Sequence, residues 1–130
     1  MASNLALDFS DAAMRSQLDE LSNAELDDVS FGVIGFDADG VVRRYNRYES
    51  EAAGLSLQRV VGNPLFTVVA PCMNNYMVAQ RFEDARHGAQ PLDLTIDYVL
   101  TLRMRPIKVR LRLLSDAEGA SRYVLVHRCV

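Results

Sequence analysis

The chain has 130 residues, 49% hydrophobic and 24% charged, with a formal net charge of −3, which suits one globular domain and excludes a disordered chain. No basic block interleaves with aromatic residues as a nucleic-acid surface requires, and no apolar run reaches the roughly 20 residues of a membrane span. The opening MASNLALDFSDAAM carries acids early and lacks the basic stretch of a secretory signal. In chain order, residues 10–21 predict a short helix with Met14, Leu18 and Leu21 on one face. Ser22-Asn23-Ala24-Glu25 has the capping-box pattern and opens a second short helix over residues 24–28. Residues 1–28 are therefore expected to form a helical cap, and residues 29–130 the core of a single domain.

Residues 31–37 predict a strand, Asp37-Ala38-Asp39-Gly40 a turn, and residues 41–45 the returning strand. Residues 46–53 read as a helix stopped by Gly54. Residues 55–69 hold short helical pieces broken by Gly62 and Pro64, and residues 75–87 predict a longer helix. The period then changes from helix to strand. Leu92, Leu94, Ile96, Tyr98 and Leu100 alternate with Asp93, Thr95 and Asp97. Ile107, Val109, Leu111 and Leu113 alternate with Lys108, Arg110 and Arg112. A turn at residues 116–119 leads to a last strand over residues 123–128. This alternation predicts antiparallel strands with one wet face. The order predicts an α+β fold: a five-stranded antiparallel sheet with helices gathered on one side, which resembles the PAS architecture. Such a fold leaves a cavity between sheet and helices.

Three residues stand out as carriers of chemistry. Cys72 follows Pro71, which restrains the backbone, and precedes polar Asn74 and Asn75. A cysteine there is either a packed core residue or a thiol at a cavity rim. Tyr45 and Glu49 lie four residues apart at the start of the helix over residues 46–53. Glu49 either belongs to a solvated face with Arg47 and Glu51 or points with Tyr45 into the cavity. A carboxyl in an apolar cavity keeps its proton, and two donors converging on one point would hold a buried oxyanion.

The stretch Asp39-Gly40-Val41-Val42-Arg43-Arg44-Tyr45-Asn46-Arg47-Tyr48-Glu49, the later Ala70-Pro71-Cys72 and the ending Tyr123-Val124-Leu125-Val126-His127-Arg128 resemble the photoactive yellow protein family. Phe31-Gly32, Val61-Gly62, Met104 with Pro106, and Lys108-Val109 fit the same pattern, so the resemblance runs from Leu26 to the C-terminus. It implies a blue-light photoreceptor with 4-hydroxycinnamic (p-coumaric) acid bound as a thioester to Cys72. It also implies that Tyr45 and Glu49 hydrogen-bond the phenolate oxygen and that light drives a trans-to-cis isomerisation. Glu49 is implied as the proton donor. A buried carboxylate without a partner then remains, and the cap partly unfolds. The implied pocket lining is Ala53, Leu55, Pro71, Val99, Leu100 and Met104. Ala53 replaces a threonine and Leu55 an arginine that are usual in the family, and Val99 and Leu100 stand where a bulky aromatic is common. These departures affect colour and cycle rate rather than attachment.

The competing readings are a PAS sensor for haem or flavin and a non-pigmented interaction module. A haem would need His87 or His127 as axial ligand, and Pro71-Cys72-Met73 does not match the Asn-Cys-Arg surroundings of a flavin-reactive thiol. A thiol enzyme with Cys72 as nucleophile has no local signature, and the chain is expected not to be an enzyme. Cys72 and Cys129 make no disulfide framework, and with His87 and His127 they lack metal-ligand spacing. The expected setting is a reducing cytoplasm, with no nucleic acid or membrane contact and a monomer or weak dimer. The signal is expected to leave through a surface change read by a downstream signalling protein.

Overall fold

Turn chemistry sets the first hairpin. The Asp37 carboxylate accepts from the Asp39 and Val41 amides at 2.9 and 3.0 Å, and Gly40 takes the positive φ of 82° that closes the turn. The strands it joins are β1 (Gly32–Phe36) and β2 (Val42–Tyr45). The structure, a computed structural model, describes residues 7–101 and 106–128. Among these residues β3 (Leu92–Leu100), β4 (Ile107–Ser115) and β5 (Arg122–Arg128) complete one sheet in the order β2-β1-β5-β4-β3, antiparallel throughout. The α+β, five-stranded PAS-type expectation holds.

The helices form close to where the periodicity places them, with informative shifts. Helix α1 spans Met14–Glu20, four residues shorter at its start than expected. The Asp8 carboxylate accepts from the Ser10 amide, and the Asp8 amide donates to Asp11, so those side chains bond local backbone instead of helix. Helix α2, Asn23–Leu26, carries the full capping box between Ser22 and Glu25. Helix α3 is Arg47–Ala53, ended by Gly54 at φ 72°. After α4 (Leu57–Val60) a π-helical turn covers Leu65–Val69 and a 3-10 turn covers Pro71–Met73. Helix α5, Ala79–His87, starts later than expected because the Asn75 side chain takes the Met77 and Val78 amides.

Each face of the sheet has its own core. On one face, Ile34, Tyr45, Leu100, Val109, Leu111, Val124 and Val126 pack with Val60, Leu65, Met73 and Phe82 from the helical block. On the other, Val33, Leu114, Tyr123 and Leu125 pack with Met14, Leu18 and Leu26 of the cap. The expectation of helices on one side and a single wet face is therefore corrected. Burial along β3 alternates to leave Asp93, Thr95 and Asp97 exposed, but the cap covers the second half of β4 and most of β5. Arg112, expected on the wet face, is buried beneath the cap.

Candidate functional site

Asn46 organises the site. It follows the last residue of β2 and caps α3, its side-chain oxygen accepting from the Glu49 amide at 3.2 Å. That oxygen also accepts from the Val33 amide, while the side-chain nitrogen donates to the carbonyls of Leu26 and Phe31. One buried amide thus joins the start of α3 to β1 and to the end of α2. The sequence marked Asn46 only as a helix start, because three of these partners are distant in the chain.

Glu49 lies in the first turn of α3, is 2% exposed and sits against β1. A Cβ at Gly32 would lie 2.0 Å from its Oε1, so only glycine leaves room for the carboxyl. Arg128, at the end of β5, donates to Oε1 at 2.7 Å and to Oε2 at 3.0 Å. Burial pushes the Glu49 pKa up, and the hydrogen bond and charge of Arg128 oppose it. Tyr45 is buried beside them, and its pKa is pushed above the ordinary value of 10.0 first by burial and then by the charge of Glu49. Among the described residues no hydrogen bond takes up its hydroxyl. A guanidinium thus meets both oxygens of the buried carboxyl.

Cys72 sits in the 3-10 turn, half-buried and free, packed against the core cluster that contains Tyr45. Its carbonyl accepts from the Tyr98 hydroxyl at 2.5 Å and from the Asn75 side chain at 3.3 Å, and Asn75 also donates to Tyr98 at 2.6 Å. Tyr98 therefore ties the cysteine turn to β3, a role hidden in the sequence behind its place in an alternating strand. Ala53 and Leu100 are buried, and Leu55 packs on the same cluster. Pro71 is exposed at the surface of the turn. Val99 is 47% exposed on the face of β3 opposite Leu100, where it borders an edge cleft of about 720 Å³ with Asn75, Tyr98 and Lys108. Met104 and Cys129 lie outside the described residues. Among the described residues no group of three or more potential metal ligands exists, and no helix is long and apolar enough to cross a membrane.

The PAS fold family matches residues 26–128. The photoactive yellow protein of Rhodothalassium salexigens is 31% identical over 84% of this chain and 86% of its own length. That of Halochromatium salexigens is 29% identical over 88% and 91%. Among solved structures, the photoactive yellow protein domain of the sensor histidine kinase Ppr from Rhodospirillum centenum superimposes with a TM-score of 0.80 at 34% identity, covering 88% of this chain and 99% of that domain.

Proposed function

This chain belongs to the photoactive yellow protein family of PAS-fold sensors, and from that premise we propose that it is a blue-light receptor carrying p-coumaric acid as a thioester on Cys72. The supporting observation is a half-buried free thiol packed on the core cluster that contains buried Tyr45, with the buried Glu49 carboxyl close to that tyrosine. The residues fit such a group. The thiol is free and half-buried, Tyr45 is buried, and the apolar side chains of Ala53, Leu55 and Leu100 suit an aromatic ring. When bound, the group supplies visible absorption and a light-driven trans-to-cis isomerisation.

The protein's part follows from its own residues. Cys72 anchors through its Sγ, and the hydrogen bonds from Tyr98 and Asn75 to its carbonyl hold the turn in place. Tyr45 and Glu49 would hold the phenolate oxygen of a bound chromophore as hydrogen-bond donors, and the low-dielectric core would strengthen both bonds. Glu49 gives up its carboxyl proton after illumination. Asn46, bonded to both the Glu49 amide and the Leu26 carbonyl, carries the disturbance from α3 to the cap. The cap is formed of helices too short to persist alone, so its undocking is the output. A downstream signalling protein reads that change; in the Rhodospirillum centenum relative, the similar domain belongs to a sensor histidine kinase.

Reconstitution with activated p-coumarate tests the assignment. The wild type should bind one equivalent covalently and turn yellow, while Cys72→Ala should fold and stay colourless. Colour in the Cys72→Ala protein would reject the anchor. A folded wild type that takes up no chromophore would reject the function.

A further inference from the structure

Arg128 is the last described residue of β5, with a side chain only 11% exposed. Its two terminal nitrogens grip both oxygens of Glu49, whose side chain is 3% exposed. Its third nitrogen, Nε, is buried and has no hydrogen-bond partner among the described residues. A guanidinium cannot shed its proton within a protein, so this cation stays charged at any working pH. A buried cation needs an anion beside it. Among the described residues, the ionisable groups facing the pair are Tyr45 from β2 and Tyr48 from α3, and Gly32 of β1 presents no side chain. Glu49 is the one carboxylate bonded to Arg128 among the described residues.

We propose that Arg128 is the resident counter-ion of the buried Glu49 site, a positioning residue that holds the negative charge of Glu49 whenever Glu49 is deprotonated. The part of this that concerns light rests on the function proposed above. With no ligand bound, Arg128 faces the Glu49 carboxylate. With an anionic phenolate in place, Glu49 keeps its proton and Arg128 balances the ligand's charge across a neutral carboxyl. Transfer of the proton from the Glu49 carboxyl oxygen to the phenolate oxygen moves the negative charge next to a cation already in position. The site holds one cation and one anion before and after, and the displacement of charge, rather than the appearance of an unpaired one, becomes the signal. Arg128 transmits it directly. It adjoins His127, which lies on the cap face of β5 with its ring 5.2 Å from that of Phe9.

Infrared titration of the chromophore-free protein tests the counter-ion without any light chemistry, with Glu49→Gln identifying the Glu49 band. The wild type should show no protonated Glu49 carboxyl band at pH 7. Arg128→Met should show it at pH 7, because burial alone then governs the proton. A protonated band in the wild type, or an ionised Glu49 in Arg128→Met, overturns the proposal. Should Arg128→Met fail to fold, Arg128→Lys retains the charge but loses the two-pronged contact. It should raise the proton affinity of Glu49 by about tenfold, and an unshifted midpoint again overturns the proposal. Failure of p-coumarate to bind would remove the proposed function and leave this titration unaffected.

Discussion

Replacing Arg112 with methionine separates docking of the cap from stability of the core. The Arg112 guanidinium makes two bonds to the Asp93 carboxylate, both 2.8 Å, and donates to the carbonyls of Phe9 and Asp11, also at 2.8 Å. The side chain is 5% exposed and Asp93 is 52% exposed. Asp93 regains water once released, so its half of the contact contributes little. The two carbonyls lose charged donors that contribute about 1.5–3 kcal/mol apiece at full strength, and methionine refills part of the volume. A net cost of about 2–4 kcal/mol falls on the cap. At 1.4 kcal/mol per factor of ten, amide exchange in α1 should accelerate by about 30- to 700-fold. Exchange in β4 and β5 should change far less, because their pairing does not use this side chain. Hydrogen exchange resolved by mass spectrometry reads both regions. Acceleration below threefold in α1, or equal acceleration in α1 and β5, would refute the idea that Arg112 clamps the cap specifically.

Gly32→Ala should destabilise the fold by about 1–3 kcal/mol, since the new methyl meets a Glu49 oxygen that Arg128 prevents from moving aside; an unchanged denaturant midpoint would show that the carboxyl is free to relocate. Tyr123 donates to Asp19 and accepts from Arg44, and burial with the Asp19 bond raises its pKa from 10.0 to about 12. A raised folded pKa means its contribution is complete below pH 10 and is lost as pH climbs toward 12. The stability difference between wild type and Tyr123→Phe should therefore be constant below pH 10 and shrink above it. A difference that stays level to pH 12 would show that the hydroxyl titrates as in the unfolded chain.

Much of the fold was legible because its signals are local. The alternation in β3 and the first half of β4, the glycine at φ 82° in the first hairpin, the capping box at Ser22 and Glu25 and the stop at Gly54 each depend on residues within a few positions. The spacing of Tyr45 and Glu49 and the Ala70-Pro71-Cys72 run were legible for the same reason. The sequence could not assign partners across the sheet. Arg112 alternates with apolar residues as a solvent-facing cation does, and only the cap's return over that face buries it. Glu49 and Arg128 are 79 positions apart, and their meeting depends on β5 lying beside β1 with Val126 opposite Gly32. Pattern reveals which face a side chain takes, since the backbone period is a property of the chain itself. What covers that face, and which charge answers a buried charge, follow from how distant segments pack, and at Glu49 that packing alone set the partner.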